Sequence, residues 1–341
     1  MTGESRIVKL GIVGLGRVGA TAPPVSSPRG DVTVIRNHLD AALAVDGIAI
    51  GALIEPDRGQ LDLVREANPT IAHVPGHASM SELEEGALDI IVLCTPTATR
   101  AADVARALAL RPRLLLVEKP LAADCAAAEA LLRMADAAGV PLRINFNRRF
   151  DGPIQRHFQA AANEPPSVLI CRYNKGLLNY ASHMVDLLQF WFGGIVGVQA
   201  IGAAEAGADP TVSFRCDMAA GFPVYVIGLP EVGYDQFEID IHLPHGRVSF
   251  ANNGVEKRDF AAVPDLYYPG YAHLRERQTP RDDTPTGGFV EYYRAVVAAM
   301  GRDAPLPGCT GLEALANLRV LEAVQASLAA GGSAIALQPD I

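Results

Sequence analysis

Arg6–Gly19 reads RIVKLGIVGLGRVG, an apolar run that breaks into three glycines. Near-continuous Val, Ile and Leu argue for a strand covered on both faces, as in a parallel sheet. Gly14, Gly16 and Gly19 follow directly in GxGxxG spacing. In a strand–turn–helix unit each glycine has a physical role. Gly14 permits the tight turn, Gly16 lets backbone approach a diphosphate, and Gly19 lets the helix pack closely on the strand. Arg17 and Val18, inside the turn, would lie at the same helix N-terminus and against the same anion. The spacing alone also fits a glycine-rich turn that binds nothing; its position after the first strand favours a dinucleotide.

Working outward, GIAIGALIE (47–55), LDIIVLCTP (88–96), RLLLVEK (113–119) and PLRINF (141–146) are further short apolar runs. Ala- and Leu-rich helical patterns at Thr99–Leu110 and Asp124–Ala138 lie among them. This alternation predicts an α/β domain over residues 1–148, a Rossmann-type doubly wound parallel sheet. Beyond it the texture changes. Helical patterns at 152–162, from Asn179, at Phe289–Met300 and at Leu312–Ala329 accompany β-like runs at 167–173, 195–204, 210–218, 223–229, 235–243 and 246–251. Residues 149–341 therefore read as an α+β domain with a large, mostly antiparallel open sheet. RERQTPRDDTPTGG (275–288) reads as a long polar loop.

The 341 residues are 49% hydrophobic and 20% charged, with a net charge of −9. No stretch concentrates Lys and Arg, so neither nucleic acid nor an anionic membrane is the expected partner. Five scattered cysteines (Cys94, Cys125, Cys171, Cys216, Cys309) form no CxxC pair, which argues against a disulfide framework and a metal site. No basic-then-apolar leader pattern is visible and no apolar run approaches the ~20 residues of a membrane span. The expectation is a cytoplasmic protein.

A dinucleotide fold needs an acidic residue at the end of its second strand to hold a ribose hydroxyl. Glu55, in ALIEPD, fits that role, but it lies 36 residues beyond Gly19, where the fingerprint expects about 20 over the unit. Residues 20–37, ATAPPVSSPRGDVTVIRN, supply the excess, and their prolines forbid an immediate regular helix. The reading is an insertion, with the crossover helix delayed to His38–Val45. That insertion either covers a ligand or is a tolerated surface loop. A carboxylate at position 55 repels the 2′-phosphate of NADP and favours NAD, while nearby Arg58 softens the preference and keeps NADP open.

Two further strand ends carry chemistry. CTPTATR (94–100) places Thr95, Pro96 and Thr97 at the carboxyl edge, where ligands of open α/β sheets bind; a plain turn with Thr as cap is the bland alternative. VEKP (117–120) puts Glu118 and Lys119 at the next such edge. A lysine there can hold an alcohol oxygen and stabilise a developing alkoxide; a surface ion pair is its alternative. Farther on, Asn179, His183 and Asp186 fall at i, i+4 and i+7, on one face of a helix. Asn179 also suits a helix cap. Arg148, Arg149, Tyr173, Asn174 and Lys175 are candidates for reading substrate hydroxyls or a phosphate, with ion pairing the equal alternative for the arginines.

Taken in order, GxGxxG, CTPT, EKP, FNRRFD (146–151), the histidine-bearing segment and the closing GLEALANLRVLEAVQAS resemble the Gfo/Idh/MocA oxidoreductases, the relatives of glucose–fructose oxidoreductase and inositol dehydrogenase. The resemblance implies hydride transfer between nicotinamide and a secondary alcohol or ketone of a sugar-like small molecule. It also implies assembly, as a homodimer or homotetramer, through the second domain's sheet. Lys119 matches the family's active-site lysine, Glu118 a residue near the nicotinamide ribose, and His183 the histidine of its DxGxHxxD segment. Together they imply an active site shared by the two domains. The segment here reads NYASHMVD, with Asn179 for Asp and Ala181 for Gly, and Arg100 stands where a His is frequent. Asn179 cannot carry a proton, so its role would be orienting. Similarity to members of polysaccharide or nucleotide-sugar biosynthesis is the narrower implication. A non-catalytic NAD-binding sensor of the same fold is the rival reading; retention of both Lys119 and His183 opposes it.

Overall fold

Val8–Val13 is buried along nearly its whole length, with Leu10 and Ile12 at 0% exposure, because both faces of its sheet are covered. The computed structural model describes residues 7–26, 33–161, 164–202, 207–277 and 287–338. These divide into two compact units. One comprises the described residues of Met1–Ser26, Thr33–Phe150 and Gly287–Leu315; the other, those of Asp151–Thr286 and Ala316–Ile341.

The first unit holds a seven-stranded sheet in the order Cys309–Thr310, Leu142–Ile144, Leu114–Val117, Ile90–Leu93, Val8–Val13, Ile48–Ile54, Gly76–His77. All pairings are parallel except the edge strand Cys309–Thr310. Val8–Val13 pairs with Ile48–Ile54 on one side and Ile90–Leu93 on the other. The chain therefore reverses its direction of winding at Val13, which opens a crevice at that strand's carboxyl end. Helices begin where caps permit: Asp124 accepts from the Ala127 amide to start Cys125–Ala138, and Asp57 accepts from Gly59 and Gln60 to start Arg58–Ala67. Phe289–Met300 adds Tyr292, Tyr293, Val296 and Met300 to the core beside Leu39 and Ala42.

The second unit is built on a nine-stranded sheet ordered Ala272–Glu276, Glu256–Pro264, Gly246–Ala251, Phe237–Leu243, Val168–Tyr173, Pro223–Gly228, Phe214–Met218, Ile195–Ala200, Ile335–Ala336. Only Val168–Tyr173 with Pro223–Gly228 is parallel. Along Val168–Tyr173 burial alternates, with Leu169, Cys171 and Tyr173 at 0%. The buried set packs with Ile154 of Gly152–Ala161, Leu187 and Leu188 of Ser182–Phe192, and Val320, Leu321 and Val324 of Gly311–Ala329. Trp191 stacks on Phe158, ring centroids 4.4 Å apart. Arg275 and Glu276, expected in a loop, belong to the edge strand; residues 278–286 lie outside the described residues. Among the described residues no helix is long and apolar enough to cross a membrane.

Candidate functional site

The glycine turn sits at the reversal point. A Cβ on buried Gly19 would lie 2.0 Å from the Gly14 carbonyl oxygen, so any side chain there would push the first helical turn off the strand. Gly16, Arg17 and Val18 stand exposed, and a Cβ on Gly16 would meet nothing within 4 Å. This open shelf of backbone fits a diphosphate. The helix beyond it is a single π-turn, Arg17–Thr21, because Pro23 and Pro24 follow. A turn that short contributes little macrodipole, so what it offers an anion is its local N–H groups. The crossover helix resumes at His38–Leu43, two residues shorter than expected, with Asn37 accepting from the Asp40 amide at 2.7 Å. Within the insertion Val25–Ser26 pairs antiparallel with Thr33–Val34; residues 27–32 lie outside the described ones.

Glu55 reaches this turn despite the long spacing. Its carboxylate accepts the Leu15 amide at 2.8 Å and the Asp57 amide at 3.1 Å. Gln60 donates to the Leu15 carbonyl at 2.7 Å. The second strand end and the glycine turn are thereby tied together, with a half-buried carboxylate beside the shelf. That is the place of a ribose-binding acid, and it suits an unphosphorylated ribose.

At the next edges the picture is mixed. Thr95 donates its hydroxyl to Asp103 at 2.7 Å, so its proton is committed within the protein. Thr97 opens the short turn Thr97–Thr99 after exposed Pro96. Arg100 is 3% exposed and donates to the Leu93 carbonyl at 3.3 Å. Burial pulls its guanidinium below the usual pKa, although Glu118, Cys94 and Asp103 act in the opposite sense.

Lys119 follows the fully buried strand Leu114–Val117 and is half-buried. Its neighbour Glu118 anchors a polar cluster that no local motif announces. His38 Nε2 and Asn145 Nδ2 lie 2.9 and 2.6 Å from Glu118 Oε1, and His38 Nδ1 lies 2.7 Å from the Tyr293 hydroxyl. Burial acts to raise the Glu118 pKa, but the bonds to His38 and Asn145 and the charges of His38 and Lys119 prevail and hold it below the usual glutamate range. A depressed folded-state pKa means that this carboxylate favours the fold above the unfolded value and ceases to do so as pH falls through the folded one. These four groups come from separate elements at separations no local rule spans. Arg149, for which substrate reading and ion pairing are equal expectations, is 7% exposed and paired with Glu313 at 2.7 Å. Its guanidinium fastens the turn Asn147–Phe150 to Gly311–Ala329 instead.

In the second unit two more expected substrate residues prove to be internal. Tyr173 is 0% exposed, and its hydroxyl both donates to the Val212 carbonyl and accepts the Val212 amide, each at 2.8 Å. Asn174 donates to the Tyr234 carbonyl at 2.6 Å and accepts the Gln236 amide at 3.0 Å. Both side chains bridge backbone that needed partners in the core. Lys175 is exposed, pairs with Asp235 and lies 5.5 Å from the Tyr180 ring. A cavity of about 390 Å³ is lined by Asn174, Lys175, Thr211 and the segment from Leu229 to Asp235.

Asn179 is exposed but is no cap: it lies inside a π-turn, Leu177–Ala181, that runs straight into the helix Ser182–Phe192. The extra residue of a π-turn breaks the i, i+4 spacing between Asn179 and His183. Nor is the stripe a uniform face, since His183 is half-buried and Asp186 is 1% exposed.

A parallel sheet reversing at a glycine turn, with an acid on the second strand end, defines a dinucleotide-binding Rossmann domain. Residues 8–146 match the model of the Gfo/Idh/MocA family, described as oxidoreductase family, NAD-binding Rossmann fold. A myo-inositol dehydrogenase, Hyg17, of Streptomyces leeuwenhoekii is 33% identical over 140 residues, 41% of this chain; the match spans only 37% of that protein. Inositol 2-dehydrogenase of Rhizobium meliloti is 25% identical over 277 residues, covering 72% of this chain and 76% of that one. The WlbA dehydrogenase of Bordetella pertussis, solved with NADH and UDP-GlcNAcA, shares the two-domain fold at a TM-score of 0.74 and 19% identity, covering 98% and 99% of the chains.

Proposed function

We propose that the protein is an NAD-dependent dehydrogenase or reductase acting at a secondary alcohol or ketone of a sugar, cyclitol or nucleotide-sugar. The observation that carries this is Lys119: a half-buried lysine at the carboxyl edge of the sheet, next to a Glu118 pinned by His38 and Asn145. A structural ion pair does not call for so elaborate a footing. The inositol dehydrogenases among its relatives support the substrate class.

NAD, when bound, supplies the hydride acceptor. The Gly14–Gly19 shelf holds its diphosphate and Glu55 its ribose hydroxyls. Lys119 holds the substrate oxygen through Nζ and stabilises the negative charge that develops as hydride leaves. A ring nitrogen of His183 takes the hydroxyl proton, the task for which an imidazole's titration near neutrality suits it. In reduction the same groups act in reverse order.

Reduction of NAD, followed at 340 nm against myo-inositol, other cyclitols, free hexoses and UDP-sugars, tests this reading. Activity with one of these classes is expected, with NAD preferred to NADP because the Glu55 carboxylate opposes a 2′-phosphate. A protein that fails to bind NAD, or binds it and oxidises nothing on the panel, would refute it. Assembly through the second unit's sheet is part of the proposal. Its outermost strand Ala272–Glu276 is exposed throughout, and Leu266, Tyr267, Tyr268 and Tyr271 are 67–85% exposed beside it. So large an apolar display on a sheet edge suits pairing with a second copy. Light scattering should report a dimer or tetramer; a monomer at micromolar concentration would remove this part.

A further inference from the structure

The helix Ser182–Phe192 has no side-chain cap of its own, its N-cap position being Ala181. The turn before it is held from 30 residues away in sequence. Asp209 Oδ1 accepts the Leu178 amide at 2.7 Å and Asp209 Oδ2 the Asn179 amide at 3.0 Å. The contacts continue in reverse order along the chain. The Leu177 amide donates to the Pro210 carbonyl at 3.0 Å, the Gly176 amide to Thr211 Oγ1 at 3.1 Å, and Val212 exchanges two bonds with the Tyr173 hydroxyl. Gly176 makes this possible: with φ at +92°, a Cβ there would lie 2.2 Å from Asp209 Oδ2. His183 follows this clamped turn by two residues, and Asn317 donates to the intervening Ser182 carbonyl at 2.8 Å.

We propose that Asp209 is the positioning residue for His183: its bidentate carboxylate fixes the π-turn from which the histidine's helix starts, and so sets where the imidazole points. This rests on the reading of His183 as the proton acceptor. Two properties suit a carboxylate to the task. It takes two orphan amides at once, which a neutral side chain with one acceptor cannot, and its charge complements the helix N-terminus. The π-turn adds a residue ahead of the helix, so releasing it to α geometry would rotate the register by about a quarter turn. An aromatic or apolar neighbour tolerates such a shift; a proton-transfer group does not.

Asp209→Asn keeps the size and one acceptor, and Asp209→Ala removes both. The ring ¹⁵N resonances of His183, identified among eight histidines by their loss in His183→Ala, should shift or broaden in Asp209→Asn and more so in Asp209→Ala. Ring resonances superimposable on the native protein's in both variants would overturn the proposal. In turnover with the panel substrate oxidised fastest, Asp209→Ala should lose about 10- to 100-fold in kcat, as a misplaced group does, with KM for NAD within about twofold. Combined with His183→Ala it should cost nothing more, because its effect passes through the imidazole. A full additive loss in the double variant, or a native kcat per folded molecule in Asp209→Ala, would also overturn it. Absence of any turnover in the native protein would refute the dehydrogenase reading instead, and the resonances would still decide the role of Asp209.

Discussion

Replacing Lys119 with alanine is expected to lower kcat by about a thousandfold, the scale on which a charge-stabilising donor at a developing oxyanion acts. The loss should fall on kcat and kcat/KM together, because the amine works hardest on charge that exists only in the transition state. NAD binding should hold within about twofold, since the glycine shelf and Glu55 lie on other strand ends. The fold should also survive. Leu114–Val117 is at 0% exposure and the Glu118 amide donates to the Leu93 carbonyl at 3.0 Å, so the strand end stays where it is without the lysine side chain. Lys119→Met, of similar length, should be as inactive as Lys119→Ala, which separates charge from bulk. Stopped-flow turnover and NADH fluorescence titration measure the two halves. Lys119→Met within about tenfold of the native kcat would remove the lysine from the mechanism.

The parts of this site that could be read in the sequence are those set by local rules. A glycine turn after an apolar strand, an acid at the next strand end and a lysine at another are each defined by a few neighbouring residues, and the structure places Gly14, Gly16, Gly19, Glu55 and Lys119 at carboxyl edges of one sheet. Prolines at 23 and 24 likewise announced that the first helix would fail. What could not be read are partners supplied from far along the chain. Arg149 meets Glu313, Tyr173 meets Val212, and Asn174 meets Tyr234 and Gln236. Tyr173 and Asn174 read as substrate residues, and Arg149 equally as substrate-reading or ion-paired, because each partner is 39 or more residues distant. The Tyr293–His38–Glu118–Asn145 cluster was hidden for the same reason. Strands of two residues, Gly76–His77 and Cys309–Thr310, have no period to detect. The Asn179–His183 stripe failed differently: the i, i+4 rule presupposes an α-helix, and a π-turn intervenes.

Replacing His183 with alanine should cost about a hundred- to ten-thousandfold in kcat at neutral pH, the range for loss of a general base. The helix can bear the change, because alanine is its best former and the neighbours that seal the core, Met184, Val185, Leu187 and Leu188, are untouched. The pH dependence should then be diagnostic. A histidine accepts a proton only when neutral, so native kcat/KM should rise with pH through the imidazole range and level off above it. Without the imidazole the proton must go to solvent or hydroxide, and the rate should keep rising with pH, narrowing the gap to the native protein in alkali. His183→Asn, which offers hydrogen bonds but cannot hold the proton, should follow alanine rather than histidine. The experiment also separates the two roles assigned here. Loss of Lys119 removes a charge rather than a proton acceptor, so its deficit should stay nearly constant over the neutral range in which the His183→Ala deficit changes. A His183→Ala deficit equally constant with pH would assign the histidine to orientation and leave the proton to another group.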